Sequence, residues 1–121
     1  MARNRRSAKA AGSSFERTVA DYLRDNVDDR IDRKVQTGAR DTGDIGGVRI
    51  HTQRVVIECK NVTIPALASW VREAEVEAGN DGALAGVVVH KRHGNGIAAE
   101  QYVTMTLEAL ASILTGERKV H

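Results

Sequence analysis

The chain has 121 residues, 41% hydrophobic and 28% charged, with a single proline. That is one domain's worth of sequence with enough apolar content for one core, and it excludes a disordered, collagen-like or low-complexity chain. The longest uncharged stretch, Asn61 to Val71, is far short of the roughly 20 apolar residues that cross a bilayer, so no membrane span is expected. A basic start, Met1 to Arg6, has no apolar segment behind it, so it does not read as a signal peptide, and an intracellular, cytoplasmic protein is expected. One cysteine, Cys59, cannot staple the fold, and with only four aromatic residues (Phe15, Tyr22, Trp70, Tyr102) a base-stacking platform is hard to build. The net charge of +2 is unevenly spread. Arg3, Arg5, Arg6 and Lys9 fall in residues 1–11, which hold no acid, while the other 14 basic residues face 16 acids. Residues 1–11 are therefore expected as a basic flexible arm suited to polyanions, ahead of a single domain over 12–121.

The first helix is expected to open at Ser13, with Glu16 three residues on completing a capping box. Phe15, Val19, Tyr22 and Leu23 then form one apolar stripe, which ends in the polar run Asn26 to Asp29. Ile31 to Gln36 alternates like a short strand, and 37–43 is a small, polar loop with two glycines. Asp44 to Ile50 and Arg54 to Lys60 read as a hairpin about His51-Thr52-Gln53. Pro65 marks the start of a second helix bearing Leu67, Trp70, Val71 and Ala74 and closing at Gly79. Ala83 to His90, with its run of valines, is a strand covered on both faces. A basic turn, Lys91 to Gly96, leads to a strand over 101–105 and a last helix capped by Thr106 and ended by Gly116. The expected fold class is α/β, more strictly an α+β mixed sheet flanked by helices.

Side-chain parity sets Glu58 and Lys60 on one face of their strand and Cys59 on the other. A hairpin centred on Thr52 places Asp44 opposite Lys60, so that two carboxylates and an amine share a face, although a bulge at Gly46-Gly47 would shift the pairing by one. Two carboxylates so placed repel unless a cation lies between them, and hard oxygen donors suit Mg2+ or Mn2+. An ion there can activate water against a phosphodiester, with Lys60 offsetting developing charge. The alternative is an idle surface pair, because Glu-x-Lys alone is a weak motif. His90 and His93 lack a third ligand for zinc, and Cys59 reads as a buried, inert thiol.

Four segments in order sharpen this: Gly12-Ser-Ser-Phe-Glu16-Arg17, Arg33-Lys-Val-Gln-Thr37-Gly38, Gly43-Asp44-Ile45, and Val56-Ile57-Glu58-Cys59-Lys60-Asn61. Over roughly residues 12–92 their order resembles the PD-(D/E)xK nuclease superfamily, most closely the archaeal-type and phage Holliday-junction resolvases. The resemblance implies a restriction-endonuclease-like αβββαβ core in a phage or prokaryotic protein. It implies that Asp44, Glu58 and the Cys59 main-chain carbonyl hold the metal, that Lys60 is the motif lysine, and that Glu16 is the helix-borne acid. It also matches Arg33 to a basic strand residue, and Thr37 to a position where such resolvases often carry serine. Arg3, Arg5, Arg6, Lys9, Arg33, Thr37, Arg40, Lys91 and Arg92 are the expected DNA contacts. The implied activity is Mg2+-dependent cleavage of branched DNA by a homodimer, since symmetric cutting of a junction needs two sites. The competing readings are another nuclease of the superfamily acting on flapped or duplex DNA, and a non-catalytic DNA-binding protein.

Overall fold

The computed structural model describes residues 4–34 and 43–121. Helix α1 spans Arg5–Asn26. It begins earlier than the capping motif predicts. Asn4 is the residue that caps it, its Oδ1 accepting the Ser7 N–H at 2.8 Å, and the alanine- and arginine-rich residues that follow are strong helix formers. The expected capping box is therefore corrected: Ser13 and Glu16 lie inside α1. The basic segment expected as a flexible arm is, from Arg5 onward, the exposed first turns of that helix. Of the expected stripe, Phe15 and Val19 are buried and Leu23 is partly buried, with Ala20 buried beside them, whereas Tyr22 stays at the surface.

After α1 the chain turns at Asp28, whose carboxylate accepts both the backbone N–H and the guanidinium of Arg30. Those bonds hold its carboxyl down at about 2. Ile31, fully buried, then delivers the chain to a mixed sheet. Its strands are β1 (Asp32–Arg33), β2 (Ile45–Gly46), β3 (Arg49–Ile50), β4 (Gln53–Lys60), β5 (Ala85–His90) and β6 (Tyr102–Thr104). The order is β1-β2-β4-β5-β6, with β3 also on β4. The β4–β5 pairing is parallel and every other is antiparallel.

The strand expected over 44–50 is broken into β2 and β3 at Gly47. Its φ of +85° suits glycine, and any Cβ there would sit 2.6 Å from the Arg30 carbonyl oxygen. Around the turn Ile50 faces Gln53 and Arg49 faces Arg54, leaving a two-residue loop, His51-Thr52, rather than three. Further on Ile45 faces Ile57, so the β2–β3 side carries one extra residue, a bulge. Both slips run the same way. Continued by one residue, the register sets Asp44 beside Glu58 instead of the predicted Lys60. A displacement of two residues keeps the side-chain faces intact.

Helix α2 (Leu67–Asp81) crosses from β4 to β5. It ends at Gly82, whose φ is +63°, so Gly79, the predicted terminus, is an interior residue. Trp70, Ala74 and Ala78 pack against Val56 and Val88 on one sheet face, while α1 covers Ile45, Val55, Ile57, Val87 and Val89 on the other. Being covered twice explains why β5 is buried from Ala85 to Val89. Helix α3 (Leu107–Thr115) is capped by Thr106 Oγ1, which accepts the Ala109 N–H at 3.0 Å, and stops at Gly116 with φ of +74°. The mixed sheet with three helices is an α+β fold, as expected. No helix among the described residues is long and apolar enough to cross a membrane.

Candidate functional site

Within β4, odd and even residues aim their backbone groups at opposite neighbours. The Val55 N–H goes to Val48 and the Ile57 carbonyl takes the Asp44 N–H, whereas the Arg54 and Lys60 carbonyls serve the β5 side. Cys59 continues the odd series toward the β2 side. There β2 has ended, and the Asp44 carboxylate takes the place of a strand: its Oδ2 accepts the Cys59 N–H at 2.7 Å. A carboxylate is thus pinned to the peptide that joins Glu58 to Cys59, on the edge that the Cys59 carbonyl shares. The Cys59 thiol, by parity, packs with the α1-side core. Burial above all pushes its ionisation far up, with the Asp44 and Glu16 charges adding to it, so it is an inert thiol as expected.

Glu16 reaches the same neighbourhood from α1. Its carboxyl is raised above the ordinary 4.5, first by burial and then by the Asp44 charge, against the Arg33 guanidinium 3.3 Å away. Asp44 and Glu16 therefore feel each other, and Arg33 holds Glu16 still. Asn61 closes this side by donating to the Ala11 carbonyl at 3.3 Å, which fastens the end of β4 to α1 five residues before Glu16.

Glu58 faces the other way, under α2, and only 2% of its surface is exposed. Its Oε1 has no hydrogen-bond partner among the described residues. Glu58, Glu73 and Glu77 each place a carboxylate oxygen within 4.8 Å of the others, a set that could hold a metal ion. Neither Asp44 nor Glu16 joins such a set among the described residues. Lys60 shares this side and spans both oxygens of Glu73, at 3.3 and 3.4 Å. Glu73 and Glu77 stand outside the motifs displayed by the sequence. The signal that marks them is their helical spacing among Trp70, Ala74 and Ala78, which sets two acids on or beside a face that must be buried.

The expected DNA contacts divide. Arg5 and Lys9 are exposed and share a stripe of α1 with Gly12 and Glu16, at steps of three and four residues. Four cations (Lys9, Arg17, Arg33 and Lys34) and two acids (Glu16 and Asp32) line a groove of about 620 Å³ beside α1, in which Arg17 pairs with Asp32 at 2.8 Å. Arg6 lies on the same exposed turns. Lys91 and Arg92 instead hold their own turn together: the Lys91 ammonium donates to the Arg92 and Asn95 carbonyls, and the Arg92 guanidinium lies 4.6 Å over the Tyr102 ring. Arg3, Thr37 and Arg40 lie outside the described residues, as do Val35 and Gln36 of the expected first strand. The chain matches no protein-family model, no curated protein and no solved structure.

Proposed function

We propose that this protein is a divalent-metal-dependent DNA endonuclease whose substrate is branched DNA, the four-way junction above all, cut by two copies of the chain acting together. The observation that carries the reading is the Asp44–Cys59 contact. It brings the acid just before β2 onto the peptide that joins Glu58 to Cys59, with Glu16 in electrostatic reach. Three separated sequence segments supply those groups, and an accidental surface pair has no need of such convergence.

The donor set fits a hard cation. Asp44, Glu58 and the Cys59 carbonyl are all oxygen donors, the ligand type that magnesium and manganese take. Magnesium or manganese bound there would polarise a phosphodiester and make water a better nucleophile. The chain's own residues do the rest. The groove beside α1, in which four cations outnumber two acids, holds the phosphate backbone, with Arg5 and Arg6 extending it outward. Glu16, whose raised proton affinity suits proton traffic, accepts a proton at Oε2 while Arg33 fixes Oε1. Lys60 supplies positive charge where negative charge develops on the phosphate.

The test is cleavage of labelled four-way junction, flap, duplex and single-stranded DNA, with and without magnesium. Paired nicks at the junction that require the metal are expected. Asp44→Asn and Glu58→Gln should each lower cleavage at least 100-fold while junction binding, followed by gel shift without metal, persists. Full activity in both variants would sink the assignment.

A further inference from the structure

Glu58, Glu73 and Glu77 raise a question that the nuclease reading leaves open, because only Glu58 belongs to it. Three carboxylates with oxygens within 4.8 Å of one another gather three formal negative charges, and Lys60 pairs with one of them, Glu73. Trp70, Ala74 and Val88 wall this side with apolar surface, where charge is poorly screened. Glu77 is 6% exposed and Glu58 2%, so water cannot relieve the crowding from below. The buried Glu58 Oε1, partnerless among the described residues, belongs to this same group. Glu73 is exposed at the mouth and gives an entry path. Hard oxygen donors, a rigid i, i+4 pair on a helix and one open side are what a magnesium- or manganese-sized ion takes.

We propose that Glu58, Glu73 and Glu77 form a second divalent-cation position, under α2, that shares only Glu58 with the Asp44–Cys59 site, and that filling it frees Lys60. The ammonium and the cation compete for one carboxylate. With the position empty, Lys60 is tied to Glu73 through both oxygens. With a cation on Glu73 the lysine loses that partner and turns to the phosphate. The lysine of the site thus becomes available when metal is present. The binding half of this proposal stands on these residues alone, whereas its catalytic half rests on the nuclease reading.

The experiment is Mn2+ binding to the full chain without DNA, by calorimetry and by the electron-spin signal of free Mn2+. Three proteins are compared: the native chain, Asp44→Asn, and Glu73→Gln with Glu77→Gln. Asp44→Asn should keep one bound Mn2+ per chain, and its melting temperature should still rise with Mn2+. The double variant should lose that ion. Glu73→Gln alone, at an exposed position that folding does not depend on, should weaken it more than the roughly tenfold that loss of an outer partner of a metal ligand costs. Undiminished binding in both α2 variants overturns the proposal, as does a native chain that binds no Mn2+ or an Asp44→Asn chain that has lost all of it. In native chain and Glu73→Gln, the Lys60 side-chain nitrogen followed by NMR should shift with Mg2+ only in the former. A lysine signal that ignores Mg2+ in the native chain defeats the release step. Failure of the nuclease reading would look different: Mn2+ is bound as described, yet no DNA is cut.

Discussion

At the scale of a residue, Glu16 is where two roles can be told apart. Its carboxyl is raised above 4.5 chiefly by burial, so the folded chain holds that proton more tightly than the unfolded chain. The stability this contributes is fully present below the ordinary glutamate value and is lost as pH rises through the folded value. Glu16→Gln cannot titrate. Its melting temperature should therefore match the native one in acid and equal or exceed it at neutral pH, and a pH series of thermal melts checks this. Cleavage should fall with stability intact. A variant that loses melting temperature as well as activity would reduce Glu16 to a structural partner of Arg33. Ser13 and Glu16 also show why a local motif misleads: a capping box describes a helix start only when no better start lies upstream, and Asn4 supplies one.

At the scale of an element, α2 is positioned by the absence of a side chain. Gly86 of β5 lies directly under it, and a Cβ there would sit 2.2 Å from the Ala74 carbonyl oxygen, backbone that cannot swing aside. Gly86→Ala must lift α2 from the sheet. We expect a cost of about 1–3 kcal/mol and a melting temperature lower by roughly 4–15 °C, with Mn2+ binding by Glu73 and Glu77 impaired in whatever remains folded. An unchanged melting temperature would mean that the close approach is not tight in solution. Helix α1 makes a different prediction. Because Arg5 and Lys9 ride on one continuous helix with Glu16, they are held in line with the site and lose less entropy on meeting phosphate than a free tail would. Deleting residues 1–11 should weaken junction binding at low salt and flatten its salt dependence by about 0.9 for each phosphate that these residues neutralise in the intact chain. The same affinity and slope after deletion would show that they are only solvated.

At the scale of the whole molecule, stability rests on two layers of packing about β4 and β5, with no disulfide to support them. Cys59 sits on β4 between the layers, partly covered by the α1-side core. Burial suppresses its thiolate, so a thiol reagent at neutral pH should label it at the rate at which that layer opens. Labelling should be slow in the native protein and fast in denaturant. Rapid labelling under native conditions would place the end of β4 in a region that opens locally, without global unfolding. The same measurement in the presence of Mn2+ should be slower still if cations fasten β4 to its neighbours.

What the amino-acid sequence determines by itself is whatever depends on neighbours along the chain. The apolar stripe of α1, the valine run of β5, the Thr106 cap, the Gly116 stop and the opposite facing of Glu58 and Cys59 are all set by periodicity or by one residue's own chemistry. Tertiary structure decides what depends on register and on distance across the fold. Asp44 reaches the Cys59 N–H because a bulge at Gly47 and a shorter turn each move the pairing by one residue, and neither is forced by local preference. Glu73 and Glu77 meet Glu58 because α2 settles onto Gly86, an approach governed by the volume left empty on another strand. Lys60 likewise finds its partner on α2, 13 residues along the chain. Periodicity assigns each side chain a face, but only packing in three dimensions decides which acid that face will meet.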